Sequence, residues 1–173
     1  MTHIYLDNAA TTPMAPEVIA EMTQQMTENF GNASNIHYFG RQARQVLDTS
    51  RQVLAQSIHA QESEIVFTSG GTESDNTAVL QTAFARQKLG KHLITTAIEH
   101  EAILKPMHFL ETQGFDVTYL PVDEAGQISM AALKRALRPD TILVSIMTGN
   151  NEVGSHMPIH EIGELLKDHQ AWF

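Results

Sequence analysis

The chain contains no cysteine in its 173 residues. No disulfide, zinc–thiolate or iron–sulfur site can therefore be built from it alone, and it offers no thiol nucleophile. Long hydrophobic runs are missing as well. No stretch approaches the roughly 20 apolar residues that span a bilayer. The opening Met-Thr-His-Ile-Tyr-Leu-Asp lacks the basic-then-apolar layout of a signal peptide. A cytoplasmic location, with no membrane partner, is the default expectation. Positive charge is scarce: 11 Lys and Arg stand against 20 Asp and Glu, for a net charge of −9. Such a balance argues against a general nucleic-acid or membrane-surface binder, which would carry a basic face. Three catalytic signatures are also absent: Gly-x-Gly-x-x-Gly, the P-loop, and the Gly-x-Ser-x-Gly elbow. His156 and His160 are four apart, but Pro158 between them argues against a shared helical face for a metal. No metal is expected.

What is present describes a globular protein, 42% hydrophobic and 18% charged. A chain of this length can form one domain that buries roughly 70% of the surface its unfolded form exposes. An extended segment at Ile4 to Leu6 precedes a Pro-containing loop and an amphipathic helix carrying Val18, Ile19, Met22 and Met26, whose methionines read as core. A Gly/Asn/Ser loop at 30–36 follows, then a longer helix from about Arg41 to Ile58. Beyond Glu64 the pattern changes. Short β-like runs near 64–68, 92–96, 116–120 and 141–147 alternate with helical stretches near 73–88, 101–113, 129–138 and 158–169. Gly90 and Gly114 sit where helices should end, Ser129 can cap the third, and Pro158 suits the first turn of the last. Pro106 falls inside the second, which must start late or give up one backbone bond. Repeated βα alternation predicts an α/β fold: a mainly parallel sheet with right-handed crossovers and helices on both faces.

Ligands of such sheets bind beyond the carboxyl ends of the strands. The loops that follow the predicted strands are therefore expected to meet in one site. The first, Ser69-Gly70-Gly71-Thr72, turns a β-like run into a helix. Its glycines allow close backbone approach, and free N–H groups with the helix dipole behind them suit an anion, to which the Thr72 hydroxyl adds a donor. The second is Glu99-His100-Glu101 and the fourth Thr148-Gly149-Asn150-Asn151-Glu152. Together they fit a phosphorylated ligand with a flat polar body, which His100 can stack on or protonate and Asn151 can hydrogen-bond. Each also has a plainer reading: glycines for a tight turn, a solvated histidine at a helix start, and Asn-Asn-Glu as turn chemistry. Convergence at one sheet edge favours the site.

At these residues the chain resembles the amino-terminal part of the cysteine desulfurases, in the class V aminotransferase group of pyridoxal-phosphate enzymes. Tyr5-Leu6-Asp7-Asn8-Ala9-Ala10-Thr11-Thr12-Pro13 is similar to the family's opening. Phe30-Gly31-Asn32-Ala33-Ser34-Asn35-Ile36-His37 with Gly40 is similar to its next signature loop, and Ile65 to Asn76 to its phosphate loop. Glu99-His100 and Asn150-Asn151-Glu152-Val153-Gly154 match later landmarks in order and spacing. The resemblance covers the whole chain.

It implies the large domain of a fold-type I enzyme, incomplete at its C-terminus, with residues 1–13 as an arm and 14–173 as a partial pyridoxal 5'-phosphate-binding domain. Gly71 and Thr72 would bind the cofactor phosphate. His100 would stack on the pyridine ring and take part in proton transfer, and Asn151 would hydrogen-bond near the ring's phenolic oxygen and the substrate. The implied reaction converts L-cysteine to L-alanine and passes sulfur, as an enzyme persulfide, to acceptor proteins for iron–sulfur cluster assembly or tRNA thiolation. A homodimer is implied in the full-length form. The alternatives are another chemistry of the group, an aminotransferase or selenocysteine lyase, or a non-catalytic truncated paralogue that binds a partner. In the family the ring-nitrogen aspartate, the Schiff-base lysine and the persulfide cysteine all come later. None of the five lysines here, at 88, 91, 105, 134 and 167, sits in a context resembling the cofactor lysine. Alone, the chain is expected not to catalyse desulfuration, to hold the cofactor weakly and to self-associate.

Overall fold

The computed structural model describes residues 3–173. They group into two compact units, one ending at Phe67 and the other running from Thr68 to Phe173. The first unit holds helix α1 (Pro16–Glu28), helix α2 (Tyr38–Ser57) and a single 3₁₀ turn at Glu62–Glu64. Pro16 at the first helical position fits α1, since its missing N–H has no intrahelical partner there. His37 caps α2, its side chain accepting from the Gly40 N–H.

Two expectations for this unit are corrected. The Met22 and Met26 stripe of α1 is not core: Met22 is 45% and Met26 68% exposed, and no residue of α1 is buried. Periodicity marks an apolar face, but it cannot say whether anything covers that face. The run 64–68 is not a strand either. Glu64 closes the 3₁₀ turn, and Ile65–Phe67 are extended but pair with no strand, leaving Val66 75% exposed. A β-branched run becomes a strand only where a partner accepts its backbone bonds.

The second unit carries helix α3 (Gly71–Arg86), strand β1 (His92–Thr96), helix α4 (Glu101–Thr112), strand β2 (Asp116–Leu120), helix α5 (Met130–Ala136), strand β3 (Thr141–Ser145) and helix α6 (Ile159–Leu166). The three strands form a parallel sheet in the order β2-β1-β3. Strand β3 ends two residues earlier than 147. Ser129 caps α5 by accepting from the Ala132 N–H, and Gly114, at φ +82°, takes the left-handed conformation just after α4.

Side-chain alternation along the strands feeds two cores, one on each face. Leu93 packs with Val79 and Ala83 of α3 and with Ile103, Met107 and Leu110 of α4. Ile94 and Val144 pack with Leu133 of α5 and Ile162 and Leu166 of α6. Each of the fully buried Leu93, Ile94, Met107 and Ile162 side chains contributes about 1.5–3 kcal/mol of burial. This is the expected α/β architecture. Beyond β3, Trp172 bridges Leu143 in parallel, its N–H donating to the Ile142 carbonyl and its carbonyl accepting from Val144. No helix of the described residues is long and apolar enough to cross a membrane.

Candidate active site

Parallel register aligns the strand ends. Thr96 lies opposite Leu120, and Thr95 opposite Ser145, so the loops that leave β1 and β3 start at one edge. There they border an open cleft of about 350 Å³ lined by Asp75, Glu99, His100, Ile103, Ser145 and Thr148. Asp75 brings in the first turns of α3. All of these residues belong to the second unit.

The N-terminal end of α3 is placed by a defect in α4. Pro106 has no N–H, so the Ala102 carbonyl four residues earlier receives no intrahelical bond. The Asn76 amide donates to it at 3.0 Å and to the Thr72 carbonyl at 2.8 Å, joining the first turns of α3 and α4. α4 thus keeps Glu101 as its first residue and gives up the bond.

Gly70, the residue before α3, is extended and provides no side-chain cap. A Cβ built on Gly70 or Gly71 would meet nothing within 4 Å, so packing does not require glycine at either position. The Thr72 hydroxyl has no hydrogen-bond partner among the described residues. Uncapped N–H groups, a free hydroxyl and open space over the glycines together fit a phosphate group. Glu73 lies in the same turn. Its carboxylate accepts from the Ser69 hydroxyl at 2.6 Å and the Ser69 N–H at 2.7 Å, and these bonds hold its pKa below the usual carboxylate value.

His100 is exposed and caps α4, its Nδ1 accepting from the Ala102 N–H at 3.0 Å. An accepting Nδ1 assigns the proton of the neutral ring to Nε2, which is left as a donor. Beside it Glu99 is only 7% exposed, and its Oε1 accepts from Thr96 Oγ1 at 2.8 Å and the Met147 N–H at 2.9 Å. Burial raises its pKa against the lowering effect of those bonds, and the nearby Asp75 charge adds to the rise.

Of the four residues singled out from the sequence, His100 lines the cleft. Gly71 and Thr72 stand in the first turn of α3, tied toward it through Asn76. Asn151 is exposed, its amide donating to Glu152 Oε1 at 2.9 Å, and it is not among the residues that line the cleft. Its neighbour Asn150 is the buried one. The Asn150 amide donates to the Ile98 carbonyl at 3.1 Å, while its Oδ1 accepts from the Glu152 and Val153 N–H groups. The sequence names Glu99 only as a member of its loop and of a family landmark, and Asn76 only as the end of the segment similar to the phosphate loop; neither has a role there, because the partners that fix them, Met147 and Ala102, are distant in the chain.

The class-V aminotransferase family profile matches residues 4–173. The IscS 1 protein of Bacillus subtilis (strain 168) is 55% identical over 173 residues, covering 100% of this chain and 46% of that protein. Cysteine desulfurase IscS of Methanosarcina thermophila is 51% identical over 170 residues, covering 98% of this chain and 42% of its own length. Among solved structures, a NifS-like protein superposes with a TM-score of 0.92 at 37% identity over 96% of this chain and 46% of that one. The chain therefore spans less than half the length of these relatives. A family profile that runs over nearly every residue, seen together with a matching fold, shows that this chain belongs to the class-V aminotransferase family.

Proposed function

We propose that this chain supplies the phosphate-binding and ring-facing part of the site of a pyridoxal-phosphate-dependent cysteine desulfurase. The observation that carries the reading is a convergence. An uncapped helix N-terminus with a free threonine hydroxyl is tied by Asn76 to the first turn of α4, which His100, with its free Nε2–H, caps at the sheet edge. Relatives named cysteine desulfurase support the choice of reaction.

In this reading the N–H groups of Gly71 and Thr72 and the Thr72 hydroxyl hold the cofactor phosphate. His100 stacks on the pyridine ring and holds a proton at Nε2, with its tautomer set by the Ala102 N–H. Asn151, which donates to Glu152 Oε1 outside the cleft, would have to exchange that bond to reach the ring's phenolic oxygen and the substrate. Bound pyridoxal phosphate supplies an electron sink for the substrate's α-carbon. The thiol that receives the sulfur must come from outside these 173 residues, which include no cysteine. The lysine that anchors the cofactor is likewise assigned to residues outside this chain. L-Cysteine as substrate, protein sulfur acceptors for iron–sulfur assembly or tRNA thiolation, a homodimer and a cytoplasmic location belong to this proposal.

Titration of the chain with pyridoxal phosphate, followed by cofactor absorbance, tests it. Saturable binding that inorganic phosphate competes away, and that weakens in both Thr72→Val and His100→Ala, is expected. Binding indifferent to phosphate and to both substitutions would refute it.

A further inference from the structure

The loop after β1 and the loop after β3 come from segments 48 residues apart, yet two side chains lock them together in opposite directions. Glu99, in the first loop, reaches across to accept the Met147 N–H while also holding Thr96. Asn150, in the second, reaches back to donate to the Ile98 carbonyl. Loops at a sheet edge are ordinarily the mobile part of an α/β domain. Here a carboxylate almost shut off from water sits at their junction, immediately before His100 in the chain.

We propose that Glu99 is a positioning residue of the candidate site: it clamps the Met147 loop to the β1 loop and thereby sets the place and tautomer of the His100 ring. The inference rests on the reading of His100 as the group that faces the cofactor. Its geometry, however, belongs to the chain itself. Glu99 ends one residue before the α4 cap, so the backbone that carries its carboxylate also carries the cap. Should Oε1 leave Met147, the His100 carbonyl and ring lose their reference to β3, and the Nδ1 contact with the Ala102 N–H is free to break. The clamp needs an acceptor at the reach of a glutamate side chain. It does not need a negative charge.

Two substitutions separate reach from charge. E99Q keeps an oxygen at the same distance and removes the charge, whereas E99D keeps the charge and withdraws the oxygen by one methylene. Two readouts are taken on the 173-residue chain without cofactor. Hydrogen exchange follows the peptide containing Met147. ¹⁵N spectra of the histidine rings report the protonated nitrogen of His100, assigned by the signal lost in His100→Asn. E99Q is expected to exchange at Met147 no faster than the parent and to keep the parent's His100 tautomer. E99D is expected to speed Met147 exchange by about tenfold, as for one lost hydrogen bond, and to shift the His100 nitrogens toward a mixture of tautomers. The proposal fails if E99D leaves both readouts unchanged, or if E99Q disturbs them as E99D does. A global loss of stability would move exchange throughout the chain without altering which His100 nitrogen is protonated in the folded fraction, and that result would also count against it. Addition of pyridoxal phosphate to the parent chain tests the cofactor reading separately: a His100 signal that ignores the cofactor sinks the proposed function and leaves the clamp to stand or fall on the first two readouts.

Discussion

His92 opens β1 fully buried, and its imidazole is bonded on both sides: Nδ1 lies 2.7 Å from Thr141 Oγ1 and Nε2 lies 2.8 Å from Thr118 Oγ1. Each threonine hydroxyl can donate to or accept from the ring, and Thr141 Oγ1 also accepts the Arg138 N–H at 2.9 Å. Either tautomer of the neutral ring is therefore satisfied on both sides. A second ring proton would place a charge in a buried site. Burial, helped by the Arg138 charge, lowers the pKa of His92, against the opposing pull of Asp116 and Asp140. A histidine with a depressed folded-state pKa leaves the unfolded chain binding more protons, so stability is full above the unfolded value and falls as pH drops through it. With an unfolded pKa of about 6.5, the loss at pH 5.5 reaches about 1.4 kcal/mol if the folded ring stays neutral, against less than ~0.1 kcal/mol at pH 7.5. Urea unfolding at the two pH values, on the parent chain and on His92→Gln, measures it. The remaining histidines are common to both chains and cancel in the comparison. The substituted chain is expected to be less stable at pH 7.5 but to lose about 1 kcal/mol less than the parent on acidification. Equal losses in the two chains would refute the buried neutral imidazole.

At the other end of the same strand the sign reverses. Burial raises the Glu99 pKa, so the folded state binds its proton more readily than the unfolded chain, and stability is lost as pH rises through the folded value. E99Q should therefore be more stable than the parent at pH 7, with a gap that closes as pH is lowered toward about 4.5; denaturant midpoints across that range check it. Thr72→Val removes one free donor from an exposed site and should weaken pyridoxal-phosphate binding by about 3- to 10-fold while leaving the denaturant midpoint unchanged. The bare apolar stripe of α1 should drive self-association, so Val18→Asn with Met22→Gln is expected to shift the chain toward monomer in sedimentation at several concentrations. An unchanged mass distribution would show that the stripe is not the contact.

What the sequence by itself determined lies mostly from His92 onward. Strand-length β-branched runs, Ser129 before a helix, Gly114 after one and the Pro106 defect are all local chemistry, and each appears in the structure where its residues required it. The placement of the loops after β1 and β3 at one edge followed as well, because parallel strands joined by helices put their carboxyl ends on the same side, whereas the 69–72 loop follows no strand. Tertiary structure decided the rest. Ile65–Phe67 has the composition of a strand but pairs with no strand among the described residues, and α1 has an amphipathic period but an apolar face that stays largely exposed. Asn150 and Asn151 are the same residue type side by side. Only the approach of the Ile98 carbonyl, 52 residues away, selects which is buried. The local sequence around His100 does not show that Glu99 is buried; that follows only when a distant backbone N–H at Met147 is folded against it. Periodicity and capping act over a few residues and are written in the chain; pairing, burial and the pKa shifts that burial causes depend on partners that only the folded molecule brings near.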